Sequence, residues 1–442
     1  MRLPSLTCLL SIVAGVLAAT RNVQKRAVPA GYVTTNGTEF ELDGEPFAFV
    51  GTNSFWLPLL TTTDDVDATF ETMASMGVKV VRTWVSSLSC TSFVLILSKY
   101  LDVQAFNMIN ATELPGALES GLTYYQLWNN SDWTLNEGPQ GLQRLDYVVD
   151  TAAKYDIRLI LTFANNWFGY GGMELYIYWL LGPDSTHDEF YTDALTIASY
   201  QRYVQTIVNR YQNSSTIFAW ELMNEARCAG DSLPSGSDCV PGSETLTTWY
   251  QLQSDFVRSL DPYHMITTGG EGQFYWAEPE YYWYDGQYVS DFNYNAGEDF
   301  EASLRLPNID FGTYHMYPQT WYPELDYPGS NFSVEAWGLN WMYDHIATAD
   351  VVEKPVIIEE FGALGLDNKS TIYPVWVNFG LESRHAFNSQ GVRIQPWQFG
   401  MLNLTEDGGN RIIKYTDAIS NGASPNDGKL FPTVQTPVFL DI

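Results

Sequence analysis

The chain has 442 residues, 45% of them hydrophobic and 15% aromatic, with a formal net charge of −30 from 22 basic and 52 acidic residues. That charge excludes nucleic acid and other polyanions as partners, because they would be repelled. The apolar content suffices for a large core, and the 15 Trp and 28 Tyr fit either that core or a cleft whose flat rings stack on sugars.

The N-terminus reads as a processing signal. Arg2 precedes the apolar run LTCLLSIVAGVLAA, which is too short to span a bilayer comfortably. Val16 and Ala18 suit a signal-peptidase site, giving a signal peptide over 1–18. Lys25-Arg26 could then close a propeptide over 19–26 and leave Ala27 first. No later stretch has the length and apolarity of a membrane helix, so no membrane partner is expected. N-x-S/T sequons at Asn36, Asn110, Asn129, Asn213, Asn331, Asn368 and Asn403 fit a secreted, extracellular glycoprotein. Cys8 leaves with the signal peptide. Cys228 and Cys239 flank AGDSLPSGSD and are expected to form a disulfide in an oxidising compartment, which leaves Cys90 over.

From there β-like runs alternate with helical patterns. FAFVGTN (47–53) leads into a helix over 64–77, with Asp64 as N-cap and Gly77 as stop. VKVVRTW (78–84) follows. Leu142, Leu145, Val148 and Ala152 recur at helical spacing before IRLILTFAN (157–165). Tyr200, Tyr203, Val204, Ile207, Val208 and Tyr211 mark one face of a long helix before TIFAWELMNE (216–225). MITTGGE (265–271), IDFGTYHMY (309–317), PVIIEEFG (355–362) and VRIQPWQFG (392–400) complete eight strand candidates. Helical patterns near 244–260, 335–348 and 372–389 lie among them. Eight buried strands alternating with helices predict an α/β fold, a parallel (β/α)8 TIM barrel. With no linker or composition shift, one catalytic domain is expected over 27–442.

In such barrels the reaction centre lies at the C-terminal ends of the strands. Those ends carry Asn53 and Trp56, Arg82 and Trp84, Asn165 to Trp167, Asn224 and Glu225, His315 and Tyr317, Glu359 and Glu360, and Trp397 with Gln398. Carboxylates on strands four and seven face each other across the mouth. Glycoside hydrolysis requires such a pair, one group to protonate the departing oxygen and one to attack the anomeric carbon.

The ordered motifs GTNSFW, VVRTW, NNW, WELMNEARC, HMYP, EEFG and PWQFG resemble glycoside hydrolase family 5, and within it the secreted fungal endo-β-1,4-mannanases. The resemblance runs from about Gly31 to Phe399. It implies that Glu225 is the acid/base and that Glu360, directly before the aromatic residue, is the nucleophile. Strand alternation agrees, placing Glu359 on the opposite face. By the same resemblance Asn224 grips the 2-hydroxyl of the reacting sugar. Arg82 and Tyr317 keep Glu360 ionised, His315 orients substrate or tunes Glu225, and Trp397 forms the floor of the site. Trp84, Asn165 and Trp56 join the substrate-binding set. Glu225 as an acid calls for surroundings that raise its pKa.

Blander readings accompany these. Glu225 with Arg227 could form a surface ion pair, Glu359 could be the nucleophile, and Arg82 and His315 could be structural. Trp56, Trp128 and Trp167 could be core, and Asn165 to Trp167 loop scaffolding. No His/Cys/Asp cluster points to a metal and no glycine loop to a phosphate, so no cofactor is expected. The expected partner is a β-mannan polysaccharide acted on by a monomer. The alternatives are a cellulase of the same family, since mannose and glucose differ only at C2, or a non-catalytic sugar-binding protein on the same scaffold.

One departure stands out. After VVRTW the family continues with a small residue and FN, but here residues 85–104 intervene before AFN. Removing these 20 residues restores VVRTWAFN. A valine codon starts with GT and a glutamine codon can end in AG, the borders of a spliceosomal intron. The segment is expected to be a retained intron in frame, the alternative being an apolar flap over the cleft.

Overall fold

The computed structural model describes residues 28–84 and 108–399, apart from 131, 168–171, 231, 241, 243, 276–280, 285–286, 291–295, 323–324, 326–332, 364–365, 388–392 and 396–398. The signal peptide, the propeptide, Cys90, the 85–104 segment and Trp397 therefore lie outside the described residues.

All eight strand candidates contain a strand. They are β1 (Gly51–Asn53), β2 (Val80–Trp84), β3 (Arg158–Thr162), β4 (Ile217–Glu221), β5 (Met265–Thr267), β6 (Gly312–Met316), β7 (Val356–Phe361) and β8 (Arg393–Ile394). Parallel pairing runs through β5-β4-β3-β2-β1 and through β6-β7-β8. Backbone hydrogen bonds join these two sheets at both seams. Asp310 N–H donates to the Ile266 carbonyl at 2.8 Å, and Phe399 N–H to the Asn53 carbonyl at 2.8 Å. The sheet is a closed (β/α)8 barrel.

Helices follow the strands in turn: α1 (Thr63–Ser75), α2 (Leu142–Lys154), α3 (Ala194–Tyr211), α4 (Thr245–Leu260), α5 (Phe300–Leu304), α6 (Val334–Val352) and α7 (Leu366–Phe387). The N-cap of α1 is Thr62, not Asp64: the Thr62 hydroxyl accepts from Asp65 N–H at 3.2 Å, and Asp64 lies inside the first turn. A threonine hydroxyl satisfies one of the helix's orphan donors, and the acidic first turn suits the helix dipole. Gly77 stops the helix at φ 79°, where a side chain would be strained. The tyrosine and valine face of α3 is buried as its spacing predicts.

Two apolar layers hold the barrel. One fills the space between strands and helices. The other lies inside, where Val80, Ile160, Phe218, Met265 and Ile357 from successive strands, with Phe311 just before β6, form one cluster. Antiparallel strands at Val33–Asn36 and Glu39–Leu42 add Phe40 to that inner layer, its ring 5.3 Å from Phe218. This plugs the N-terminal end and leaves the C-terminal end for polar side chains.

Candidate active site

The polar end of the barrel is organised around Arg82, which is fully buried on β2. Its Nε and Nη2 donate to the two oxygens of Glu221 at 2.8 and 2.6 Å. Nη2 also donates to Asn224 Oδ1 at 2.7 Å, and Nη1 to Asn53 Oδ1 at 3.2 Å and to Glu360 Oε1. One guanidinium thus ties β1, β2, β4 and β7 together. Glu221 was not anticipated: it sits within the apolar run IFAWEL, where a lone carboxylate is easily passed over as core.

Glu225 lies just past β4 at φ 53°, a left-handed conformation that costs a non-glycine residue on the order of 1–3 kcal/mol. Its backbone N–H donates to the Gly269 carbonyl at 2.8 Å. Gly269 must be glycine, since a Cβ there would meet Glu221 Oε1 and the Met223 carbonyl, both at 2.4 Å. This close approach turns the Glu225 side chain into the mouth. There Oε1 pairs with His315 Nδ1 at 2.8 Å, and Oε2 accepts from Trp167 Nε1 at 2.5 Å. The Arg227 guanidinium lies 5.1 Å over the Trp167 ring and pairs with Glu271 at 2.5 Å.

Glu360 approaches from β7. Tyr317 donates to its Oε2 at 2.6 Å, opposite Arg82 on Oε1. His315 Nδ1 is 3.7 Å from Glu360 Oε2. One ligand-type atom each of Glu225, His315 and Glu360 lies within 4.8 Å of the others. Such a trio resembles a metal site, but Arg82 and Tyr317 already occupy the Glu360 oxygens, and His315 and Trp167 those of Glu225. The guanidinium stands where a cation would neutralise the carboxylates.

Strand alternation does not separate Glu359 from Glu360. The β6–β7 pairing shifts register, with Tyr314 opposite Ile358 and His315 opposite Glu360. The extra residue, Glu359, is turned inward, as a β-bulge does. Both carboxylates consequently reach Arg82, with Glu359 Oε1 3.6 Å from Arg82 Nε. They differ in access: the Glu359 side chain has no exposed surface, whereas that of Glu360 keeps 5%.

The electrostatics depart from the sequence expectation for Glu225. Burial pushes its carboxyl up, but the His315 hydrogen bond and charge, with Arg227 and Trp167, pull it down to about 2. His315 is the other half of that interaction. Burial would lower it, yet Glu360, Glu225 and Glu359 raise it well above the usual histidine range. The proton of the pair thus rests on the imidazole. Glu360 departs from expectation as well: burial raises it, aided by the Glu225 charge, and His315, Arg82 and Tyr317 favour its ionised form without outweighing burial. Burial also raises Glu221 to about 7, although Arg82 opposes it.

Asn224 is held by Arg82 and donates to Asn165 Oδ1 at 2.8 Å. Asn165 is fully buried and bridges Asn224 through the backbone, so it fixes Asn224 rather than facing a sugar. Trp56 has no exposed surface and donates its indole N–H to the Phe399 carbonyl at 3.2 Å. It is core, not a sugar platform. Trp128 is likewise core, packed against Trp179. Trp84, the last residue of β2, is nearly fully buried, with the Arg82 guanidinium 5.8 Å from its ring. Trp167 keeps partial exposure beside Glu225. Cys228 and Cys239 form the expected disulfide. Asp188 accepts backbone N–H groups of Gly236, Asp238 and Cys239 and so steadies that loop.

A parallel barrel with two carboxylates meeting at the ends of β4 and β7 defines the class of barrel glycoside hydrolases. Residues 138–388 match the family described as GH family 5 beta-mannosidase-like. Over 398 residues the chain is 35% identical to mannan endo-1,4-beta-mannosidase F of Aspergillus clavatus, covering 90% of this chain and 74% of that protein. It is 32% identical over 414 residues to mannan endo-1,4-beta-mannosidase A of Aspergillus aculeatus, covering 94% and 89%. The fold matches the endo-1,4-beta-mannanase of Rhizomucor miehei with a TM-score of 0.70 at 31% identity, over 91% of this chain and 97% of that one. The chain belongs to glycoside hydrolase family 5 and is a glycoside hydrolase.

Proposed function

We propose that the protein is a secreted, retaining endo-β-1,4-mannanase that cuts internal bonds of mannan, glucomannan and galactomannan. The observation that carries this reading is the spacing of Glu225 and Glu360, whose nearest ligand-type oxygens lie within 4.8 Å. Retaining enzymes hold their carboxyl groups roughly 5–5.5 Å apart, and inverting enzymes roughly 6.5–9.5 Å to admit a water. The names of the relatives support mannan as the substrate.

Glu360 attacks the anomeric carbon and the glycosidic bond breaks. The departing oxygen takes a proton from Glu225, which draws it from His315 Nδ1 as substrate strips the remaining water from the pair. Water then gives a proton to Glu225 and attacks the same carbon, releasing Glu360 as a carboxylate. Asn224, held by Arg82 and Asn165, is proposed to grip the 2-hydroxyl, and Trp397 is proposed as the floor. No cofactor enters these steps.

Secretion would follow removal of 1–18 and 19–26, leaving one catalytic domain that works as a monomer. Among the described residues no helix is long and apolar enough to cross a membrane. The sequon residues Asn36, Asn129 and Asn213 are exposed, which suits glycosylation.

Reducing-sugar release from mannan compared with carboxymethylcellulose tests the substrate, and the anomer formed first, read by proton NMR, tests the stereochemistry. Faster release from mannan with β-anomeric product is expected. A preference for carboxymethylcellulose would turn the reading to a cellulase, and α-anomeric product would overturn retention. Full activity in Glu360→Gln would remove the nucleophile assignment.

A further inference from the structure

The steps above leave Glu359 unused, although it lies beneath both reacting carboxylates. Its Oε1 is 3.6 Å from Arg82 Nε and its Oε2 is 3.6 Å from His315 Nε2. Neither oxygen, nor His315 Nε2, has a hydrogen-bond partner within bonding distance, and all three atoms are buried. A buried carboxylate is costly unless a charge compensates it. Arg82 is an incomplete explanation, since its N–H groups are already directed at Glu221, Glu360, Asn224 and Asn53. The other cation that Glu359 faces is the imidazolium of His315.

We propose that Glu359 is a positioning residue for the acid/base step, facing Nε2 of His315 so that the ring stays charged and its Nδ1 proton stays aimed at Glu225. This rests on Glu225 being the acid/base. The line runs Glu359 Oε2 to His315 Nε2 at 3.6 Å and His315 Nδ1 to Glu225 Oε1 at 2.8 Å. A carboxylate behind an imidazole fixes which nitrogen keeps its hydrogen. When the Nδ1 proton passes to Glu225 and on to the leaving oxygen, the ring is left neutral with its hydrogen on Nε2, facing Glu359. Nδ1 then presents a lone pair to Glu225. In the second step the proton taken from water returns by the same path.

The surroundings agree. His315 is faced by Glu225 beyond β4 and by Glu359 and Glu360 on β7. On the β5 side its backbone N–H donates to the Glu271 carbonyl at 3.0 Å, and from α6 Trp341 donates to its carbonyl oxygen at 2.8 Å. Burial raises the carboxyls of Glu271 and Glu298, with His315 and Arg227 opposing in both. Glu359 itself is faced by Arg82 from β2 and Glu221 from β4. Burial would raise Glu359, but Arg82 and His315 bring it below the usual range, so it is held as an anion. Tyr317 acts on Glu360 rather than on His315.

The test is the pH dependence of kcat/KM for Glu359→Gln on mannooligosaccharides. Removing a negative charge favours the deprotonated forms of its neighbours, so the alkaline limb is expected to move to lower pH by about one unit or more. A fall in rate at every pH with the limbs unmoved would overturn the proposal. Ring ¹⁵N NMR of the unaltered protein, with the His315 signal assigned through His315→Asn, gives a second reading that does not depend on Glu359→Gln folding. An imidazolium that persists through about pH 7 and then loses its Nδ1 proton is expected. A neutral ring at pH 5, or a neutral ring carrying its hydrogen on Nδ1, would equally overturn it. Glu225→Gln assayed on a dinitrophenyl mannooligoside isolates the underlying reading. If that activated substrate restores no cleavage, the acid/base assignment fails, whatever the limbs of Glu359→Gln do.

Discussion

Arg82 directs its two-pronged edge at Glu221, with Nε to Oε2 at 2.8 Å and Nη2 to Oε1 at 2.6 Å, and both side chains are fully buried. The pair lies below the reacting carboxylates, so its first task is to aim the remaining Nη1 at Glu360. Arg82→Ala leaves Glu221 and Glu359 buried without their cation and is expected to destabilise the fold by about 3–5 kcal/mol. Arg82→Lys is expected to lose most activity too, because an ammonium cannot reproduce the fork. Denaturant unfolding and kcat/KM check these, and a fully active lysine variant would refute the geometric role.

Tyr317 donates to Glu360 Oε2 at 2.6 Å and stabilises the charged form. Tyr317→Phe removes that donor, so the Glu360 pKa rises. The group must be ionised to attack, and a raised pKa moves the acid limb of the pH–rate profile to higher pH. A shift of about one unit is expected, equivalent to ~1.4 kcal/mol. A profile with an unmoved acid limb would contradict it.

The Cys228–Cys239 bridge closes the loop that follows Glu225. Replacing both cysteines by serine is expected to lower stability by about 2–3 kcal/mol. The folded variant should still cleave at low temperature, because Asp188 holds the same loop through Gly236, Asp238 and Cys239. Thermal unfolding and residual activity measured side by side separate the two contributions.

Residues 85–104 are proposed to be intron-encoded. Sequencing mature transcript across the Trp84 and Ala105 codons is expected to show the 60 nucleotides absent. Protein made without them should be the active form. Continuous coding reads in all mature message would end the idea.

The barrel was legible because each buried strand is a short apolar run bounded by polar residues, a pattern that parallel sheets impose. The partners of Glu225 and Glu360 were legible because they stand at strand ends. Three features were not. Strict alternation predicts opposite faces for Glu359 and Glu360, and only the cross-strand register reveals the extra residue. Glu221 hides among Ile217, Phe218, Ala219 and Trp220, since no local pattern announces an arginine 139 positions away. Trp56 sits next to a strand end but turns into the core, a choice set by the distant Phe399 carbonyl. The raised pKa expected of Glu225 failed for a related reason: His315, 90 residues on, holds the proton instead.

The seam between β1 and β8 has a temporal meaning. A Cβ on Gly51 would lie 2.5 Å from the Gln395 side chain, so the first and last strands can meet only because one of them is bare there. The residues that meet are among the earliest and latest of the barrel to leave the ribosome. Contacts this far apart in sequence form late and slowly. The mouth that carries Glu225 and Glu360 is therefore complete only once the eighth strand has joined the first.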